Sequence, residues 1–358
     1  MAFLEVKNVR IAGLSAGVPK DVVKNEGDAV QSADYDAAAF VETTGVTQRR
    51  VSNTLTASDL AFFAADKLLL DLQWDKSEVE ALIFVTQFPD YHLPATSCVL
   101  QDRLGLSKDC YTLDISLGCS GWVYGLSNAA TLMQSGCFKK VLLLTGDGRR
   151  FADICLDPLF GHAVCATALE YLEGADSIQF HFGTDGSGFD AIIIPDGCAR
   201  KQITTDSFNE EVIDAKVYNK LMIRMNGIDV FSFAISTAPK SVKKLADHFG
   251  FDYQDADYYV FHQANMKINK MIQKKLKLDD EKVPYSLHDF GNTSSASIPI
   301  TIVTQLKNQL KDKSTKFICC GFGVGLSWGA VRFTTDEHLV ISELVEVNND
   351  QIDTVHVV

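Results

Sequence analysis

Short, uninterrupted apolar runs dominate the hydrophobic pattern of this chain, and turn-forming residues and longer helical segments separate them. Three of these runs are "LIFV", "VLLLT" and "YYVF". They lack the polar-apolar alternation of a half-exposed strand, and this is typical of strands that helices cover on both faces. The pattern therefore predicts an α/β protein with mixed, largely parallel sheets and with helices between and outside them.

Three segments of the first half of the chain recur in the second half at nearly constant spacing. "ALIFVTQFPD" matches "DYYVFHQANM", and this sets Thr86 against His262, 176 positions later. "LDISLGCSGWVYGLSNAATLM" is predicted to be a strand, a glycine turn and a helix. "SLHDFGNTSSASIPITIVTQL" is predicted to have the same three parts, with 173 positions between Cys119 and Asn292. With "KVLLLTGDG" matching "KFICCGFGVG", the chain is interpreted as two pseudo-symmetric copies of one α/β unit.

The repeat divides the chain into three parts. Residues 1–172 are predicted to form the first half and residues 173–333 the second. The boundary between the halves falls within residues 172–217, and the Gly- and Asp-rich stretch "GTDGSGFDAIIIPDG" in this segment predicts turns and a hairpin. Residues 334–358 form an acidic extension without Lys or Arg, and its "HLVISELVEV" pattern could pair as a strand. A partly ordered acidic end is the alternative.

Composition narrows the classes of function. The 358 residues are 46% hydrophobic, enough for a large core, and 33 Lys and Arg against 46 Asp and Glu give a net charge of −13. This charge argues against wholesale binding to nucleic acid or to a membrane surface. Without a signal segment or a long apolar span, a cytoplasmic protein is expected. Nine cysteines without a CxxC pair favour neither a disulfide framework nor a metal site.

The cysteine in "ISLGCSGWVYGL" is the first candidate for chemistry. Cys119 follows an apolar strand and precedes a helix of small residues, so a thiolate there would lie at the positive end of the helix dipole. Superposing the two halves would bring His262 and Asn292 to the same place. The alternatives are a packing cysteine, a structural histidine and a capping asparagine.

Taken together, these residues resemble the thiolase-fold condensing enzymes, and specifically the β-ketoacyl-acyl carrier protein synthase III family. The resemblance runs from about Val9 to Phe333 through "TTGVTQRR", "PATSCVLQDRLG", "GCSGWVYGL", "HQANMKI", "GNTSSASIP" and "GFGVGLSWGAVRF". It implies a five-layered α-β-α-β-α arrangement and an acyltransferase of fatty acid biosynthesis. It also implies a homodimer in which the strand near "CYTLDIS" pairs across the twofold axis.

The implied reaction is acyl transfer followed by decarboxylative Claisen condensation. Cys119 would accept the acyl group of a thioester primer, and malonyl-acyl carrier protein would then lose carbon dioxide. His262 and Asn292 would donate hydrogen bonds to the enolate that forms. Attack of this carbanion on the acyl-cysteine would give a β-ketoacyl-acyl carrier protein.

The resemblance also implies an oxyanion hole and an acyl pocket around the "GFGVG" loop. Phe322 would lie behind the sulfur, and the backbone of Gly323 and Val324 would contribute to the oxyanion hole. Val324 stands where the family usually has glycine, so it keeps the amide and adds a side chain to the pocket. Leu93 falls where a residue of one subunit caps the pocket of the other.

Two positions depart from the relatives that use acyl-coenzyme A. Those relatives usually carry a tryptophan and an arginine before the "TG" motif to hold the nucleotide, whereas Ala39 and Thr43 stand here. The primer is therefore expected on a carrier protein, or on coenzyme A bound differently. No resident cofactor is expected, because acyl groups arrive on coenzyme A or on the phosphopantetheine of acyl carrier protein.

A lysine-rich segment follows the histidine. Lys267, Lys270, Lys274 and Lys277 fall at helical spacing on one face, in a protein whose net charge is −13. We expect this face to bind the acidic acyl carrier protein, with Asn265 contacting the pantetheine arm. A solvated lysine face is the alternative.

Three other functions use some of the same residues. An acyltransferase of the same fold would pass the acyl group to an alcohol or amine. A papain-like protease uses Cys, His and Asn in this chain order, but the doubled α/β pattern argues against it. A non-catalytic partner subunit would be expected to lose Cys119.

Overall fold

In the computed structural model the chain builds two main β-sheets with helices between and outside them, and the structure describes residues 2–25, 36–148, 157–213 and 216–351. The strands are β1 (Ala2–Val6), β2 (Val9–Pro19), β3 (Val22–Lys24), β4 (Gln48–Arg50), β5 (Ala81–Val85), β6 (Tyr111–Ile115), β7 (Lys140–Asp147), β8 (Ala163–Tyr171), β9 (Ile178–Thr184), β10 (Ile192–Ile193), β11 (Glu211–Ile213), β12 (Lys216–Tyr218), β13 (Arg224–Met225), β14 (Tyr258–Phe261), β15 (Thr315–Gly323), β16 (Ser327–Thr335), β17 (Val340–Ile341) and β18 (Val345–Val347). The helices are α1 (Ala37–Thr44), α2 (Ala57–Leu72), α3 (Thr96–Leu104), α4 (Gly121–Met133), α5 (Gly227–Phe249), α6 (Met266–Leu276), α7 (Leu287–Phe290) and α8 (Ser297–Gln305).

Both main sheets are mixed. The first has the order β17-β2-β8-β7-β5-β6, with β18 also paired to β2, and its strands β7, β5 and β6 are parallel to one another. The second has the order β1-β9-β16-β15-β14, and only β14 and β15 are parallel. The prediction of mixed sheets is confirmed, but largely parallel pairing is wrong for the second sheet. A connection as short as that between β15 and β16 can join only antiparallel strands.

The helices make five layers with the two sheets. Helices α2 and α3 cover the outer face of the first sheet, α4 and α8 lie between the sheets, and α5 and α6 cover the outer face of the second. Helix α4 packs closely because a Cβ at Gly125 would lie 2.7 Å from the Leu143 side chain. The five-layered prediction is confirmed. Within the described ranges, no helix has both the length and the apolar character that a bilayer crossing requires.

The two halves exchange their terminal strands. Strand β1 pairs with β9 in the second sheet, although it opens the chain, and strands β17 and β18 return to pair with β2 in the first. Strand β8 ends at Tyr171 in one sheet and β9 begins at Ile178 in the other. The boundary at 172/173 stays a prediction. In the stretch expected to form turns and a hairpin, a single turn of 3-10 helix spans Gly186–Gly188, and β10 pairs antiparallel with β13, which lies outside the stretch. The antiparallel pair β11–β12 also lies beyond it.

The acidic extension is bound along the edge of the first sheet. Val347 is buried there, Arg50 forms an ion pair with Glu346 at 2.7 Å, and Arg10 forms one with Asp336 at 2.9 Å. The alternative in which the "HLVISELVEV" segment pairs as a strand is therefore confirmed. Residues 352–358, which include Asp353 of the acidic extension, lie outside the described residues.

One predicted strand is wrong. The "SLHDF" segment forms the short helix α7 instead, in which the N–H of Phe290 donates to the carbonyl of Ser286. The turn closes where the N–H of Gly291 donates to the carbonyl of Leu287 at 2.9 Å, and Gly291 has a positive φ of 65°, which favours glycine. The predicted turn and following helix are present, with α8 beginning at Ser297.

Candidate active site

Cys119 lies in a tight turn between a strand and a helix. Strand β6 ends at Ile115, Ser120 is the N-cap of α4, and Gly121 donates its N–H to the carbonyl of Gly118 at 2.7 Å. Cys119 therefore precedes the helix by two residues. It still lies at the amino end of α4, where the helix dipole favours a negative charge.

The end of strand β15 lies against this turn. A Cβ at Gly321 would lie 2.9 Å from the carbonyl oxygen of Cys119, and one at Gly323 would lie 2.8 Å from its Sγ. No side chain fits at these distances. The two glycines therefore bring the backbone of β15 into contact with the nucleophile candidate.

Two serines fix the loop that follows. Ser327 donates its hydroxyl to the carbonyl of Val324 at 2.7 Å, and its Oγ lies 2.7 Å from Ser120 Oγ. Because Ser327 donates its only hydroxyl proton to the carbonyl of Val324, Ser120 must donate its own hydroxyl proton to Ser327 Oγ. Ser120, the residue after Cys119, is thus hydrogen-bonded to Ser327, which holds the Val324 loop. The two serines are 207 positions apart, so no local sequence pattern predicts this contact.

His262 is buried and neutral at the end of β14. Its backbone N–H donates to the carbonyl of Cys320 at 2.9 Å, and its Nδ1 lies 2.8 Å from Ser297 Oγ. Burial lowers the pKa of His262 to about 3, and a hydrogen bond with the backbone of Ser294 only partly opposes this. The imidazole therefore carries no charge near neutral pH. Its ring meets Phe322 edge-on, with centroids 5.4 Å apart.

Asn292 is held by its backbone and by its side-chain oxygen. Its N–H donates to the carbonyl of Leu159 at 2.8 Å, and its own carbonyl accepts from Gly161 at 3.1 Å. Its Oδ1 accepts the backbone N–H of Ser294 at 2.9 Å. This hydrogen bond fixes the orientation of the side-chain amide, because the oxygen must face the N–H of Ser294. The Nδ2 hydrogens of Asn292 are then able to donate to a ligand.

These three side chains meet in one narrow cavity of about 60 Å³. Cys119, His262 and Asn292 all line it, as the pseudo-symmetry of the two halves predicted. Most of the remaining wall is apolar. The predicted residues that also line it are Asn265, Phe322, Gly323 and Val324.

Leu93 does not line this cavity. Its side chain is 87% exposed on the loop between β5 and α3. The residues that the sequence did not indicate are Gln87, which lines the cavity, and the serines at 120, 297 and 327. Their roles depend on partners that are distant in sequence.

Known proteins share this architecture. Residues 113–186 match the family described as 3-oxoacyl-(acyl-carrier-protein) synthase III, and residues 246–335 match its C-terminal region. The chain is 37% identical to a 3-oxoacyl-(acyl-carrier protein) synthase of Burkholderia xenovorans LB400, whose crystal structure matches with a TM-score of 0.89 over 97% of this chain and 99% of that one. It is 32% identical to β-ketoacyl-(acyl-carrier-protein) synthase III 1 of Bacillus anthracis, over 90% of this chain and 98% of that protein. The chain belongs to the synthase III family.

The synthase is therefore a condensing enzyme of the thiolase fold and an acyltransferase. A β-ketoacyl-(acyl-carrier-protein) synthase III of Clostridium acetobutylicum is 31% identical over 91% of this chain and 98% of that protein. The predicted family, fold and reaction class are confirmed. The papain-like protease considered from the sequence is wrong, because its residue order occurs here within a different fold.

The lysine face of the synthase is smaller than the sequence predicted. Lys267, Lys270 and Lys274 are exposed on α6, but Lys277 is the C-cap and lies beyond the helix. Lys270 forms an ion pair with Asp280 at 2.8 Å. The positive charge of the helix therefore rests mainly on Lys267 and Lys274, together with Lys275.

The beginning of α6 packs beside α1. A Cβ at Gly45, the C-cap of α1, would lie 2.9 Å from the side chain of Met266, the first residue of α6. Ala39 and Thr43 are exposed on α1, four positions apart on one face. Asn265 is the N-cap of α6, and its Oδ1 accepts the N–H of Ile268 at 2.9 Å. Its Nδ2 group can still donate.

Proposed function

We propose that this synthase carries a primer acyl group on Cys119 and condenses it with a malonyl group that acyl carrier protein delivers. The observation that carries the proposal is the convergence of Cys119, His262 and Asn292 on one cavity from three separate segments. Each has the chemistry that one step of the reaction needs.

Acylation of Cys119 is the first step. The sulfur attacks the carbonyl carbon of the primer thioester, the Sγ–C bond forms, and the carrier sulfur leaves and takes up the proton. The amino end of α4 favours the thiolate. The backbone N–H groups of Cys119 and of the Gly323–Val324 loop would stabilise the oxyanion, since this loop lies in contact with the sulfur.

Decarboxylation of the malonyl group is the second step. A neutral His262 with its proton on Nε2, and Nδ2 of Asn292, would donate to the malonyl thioester oxygen while carbon dioxide leaves. Ser297 supports this tautomer because its hydroxyl can donate to Nδ1. The carbanion then attacks the acyl carbon, the Sγ–C bond breaks, and the β-ketoacyl product remains on the carrier.

Delivery of the malonyl group is assigned to the exposed lysines of α6. Replacing both Lys267 and Lys274 with glutamate should raise the KM for malonyl-acyl carrier protein about tenfold at low salt, because docking to an acidic partner depends on charge. Lys311 and Lys313 are also exposed, but lie before β15, at its opposite end from the cavity. Their double glutamate variant is the charge-matched control. Equal KM values for the two variants would contradict the docking assignment.

The proposed primer donor is a carrier protein, or coenzyme A bound without the tryptophan and the arginine that hold its nucleotide in relatives. Ala39 and Thr43 support this, because neither side chain can stack on a base or bind a phosphate by charge. No resident cofactor is proposed.

A homodimer is proposed on the edge of the first sheet. Strand β6 is the last strand there, and Tyr111 on it is 41% exposed. Pairing of two β6 strands would continue the sheet, and the exposed Leu93 would be free to reach the cavity of the partner. A molar mass near 39.4 kDa in light scattering, the mass of one chain, would contradict it.

The test of the proposed function is intact-protein mass spectrometry with a panel of acyl-coenzyme A and acyl-carrier-protein thioesters. Wild type should gain the mass of an acyl group, and Cys119→Ser should not. An adduct without a β-ketoacyl product after malonyl-acyl carrier protein is added would favour transfer to an alcohol or amine instead. No adduct from any donor would favour a non-catalytic partner subunit.

A further inference from the structure

The side-chain amide of Gln87 lies against Gly118, the residue before the nucleophile candidate. A Cβ at Gly118 would lie 2.4 Å from Gln87 Oε1 and 3.1 Å from its Nε2, so the amide packs against the residue before Cys119. Gln87 and Cys119 line the same cavity, so the amide and the sulfur face one space.

Gly118 makes this placement possible. Its backbone is not in the left-handed region, so its conformation alone does not require glycine. The space that a side chain would occupy holds the Gln87 amide instead. Gly118 and Gln87 thus form a matched pair, in which the missing side chain of one admits the polar group of the other.

A buried carboxylate holds Gln87 in this position. Asp147, which is 1% exposed, accepts the backbone N–H of Gln87 at 2.9 Å and the hydroxyl of Thr86 at 2.8 Å. The backbone is therefore fixed, while the side-chain amide forms no hydrogen bond with any residue in the described ranges. It remains available to a ligand.

Apart from the three catalytic candidates, Asn265 and Ser294, the wall of the cavity that Gln87 lines is hydrophobic, and it includes Ile192, Ile223 and Met225. A purely aliphatic acyl group on Cys119 would displace water from the amide and leave it without partners, which is unfavourable. An acyl group with an oxygen on its second or third carbon would restore a hydrogen bond. A site built to bond such an oxygen discriminates strongly against an analogue that lacks it.

We propose that Gln87 is a specificity-determining residue, which selects a short primer that carries a hydroxyl or carbonyl oxygen on its second or third carbon. The inference rests on the proposed acylation of Cys119. The acylation step itself is unchanged: the Sγ–C bond forms as the carrier S–C bond breaks, and the carrier thiol leaves.

The experiment compares rates of Cys119 acylation by butanoyl, 2-hydroxybutanoyl and 3-hydroxybutanoyl thioesters, each on coenzyme A and on acyl carrier protein. Wild type should be acylated at least about tenfold faster by one hydroxyacyl donor than by the butanoyl donor on the same carrier. Gln87→Met keeps the length of the side chain and removes the amide, so it should abolish this preference. Gly118→Ala should weaken it, because the new Cβ displaces the amide. Gln134→Met makes the same change at an exposed position that does not line the cavity, so it should leave the ratio of rates as in wild type.

The outcomes separate this inference from the proposed function. A preference in wild type that Gln87→Met loses supports both. Acylation of wild type by the butanoyl donor at an equal or higher rate than by both hydroxyacyl donors overturns the role of Gln87 and leaves the proposed function intact. An equal preference in wild type and Gln87→Met also overturns it. If no donor acylates Cys119 and malonyl-acyl carrier protein is not decarboxylated, both fail.

Discussion

Burial of His262 should make the stability of this synthase depend on pH. Its pKa is about 3 in the folded protein, because burial disfavours the charged ring, and about 6.5 in an unfolded chain. As the pH falls below about 6.5, the unfolded chain takes up a proton that the folded protein does not. This histidine therefore does not lower the free energy of unfolding above pH 6.5, and it lowers it progressively as the pH falls from 6.5 toward 3.

The size of the loss follows from the two pKa values. At pH 5 the unfolded chain gains about 2 kcal/mol from protonating this histidine, while the folded protein remains almost entirely unprotonated there. The free energy of unfolding should thus fall by about 2 kcal/mol on this account between pH 8 and pH 5.

His181 provides a matched control. It is 3% exposed in the second sheet, with Nδ1 2.8 Å from Ser241 Oγ, and it does not line the catalytic cavity. Burial, aided by the positive charge of Lys244, lowers its pKa to about 4. It should therefore contribute a similar loss of about 2 kcal/mol at pH 5 without taking part in the reaction.

The assay is urea unfolding from pH 5 to pH 8 for wild type, His262→Asn and His181→Asn, together with malonyl decarboxylation. In each variant, the fall in the free energy of unfolding from pH 8 to pH 5 should be about 2 kcal/mol smaller than in wild type. Only His262→Asn should also lose decarboxylation. If His262→Asn kept the full pH dependence of wild type, the buried neutral histidine would be refuted. If His181→Asn alone lost decarboxylation, the catalytic assignment would be refuted.

Three further predictions concern other parts of the molecule. Asn292→Asp should slow malonyl decarboxylation about 100-fold or more in a carbon dioxide release assay, because a carboxylate opposes the enolate charge; an unchanged rate would remove Asn292 from this step. Gly323→Ala should nearly abolish acylation in intact-protein mass spectrometry, because its Cβ would lie 2.6 Å from Cys119 Cβ; normal acylation would contradict the contact. Deleting residues 336–358 should lower the free energy of unfolding by at least about 2 kcal/mol, because the buried Val347 and the edge of the first sheet lose their partners. Unchanged urea unfolding would show that the extension is dispensable for stability.

The sequence by itself determined the doubled architecture and the catalytic set. The strands β5, β7 and β14 are continuous apolar runs, and such runs are visible locally because both of their faces are buried. Of the three site residues, His262 directly follows such a run at the end of β14, whereas Cys119 follows β6 and Asn292 follows the short helix α7, each at a glycine turn. The repeat spacing therefore predicted that they would meet, although more than 140 positions separate the first from the others.

Only the tertiary structure decided which residues support and surround that set. The contact of Ser120 with Ser327 and the packing of the Gln87 amide against Gly118 join residues that have no local relation in the sequence. The pairing of β1 in the second sheet and the formation of α7 in place of a predicted strand were likewise decided by the tertiary structure. Hydrogen bonds and close packing between distant segments depend on where the whole fold places them, and a local pattern of apolar and polar residues carries no record of that placement.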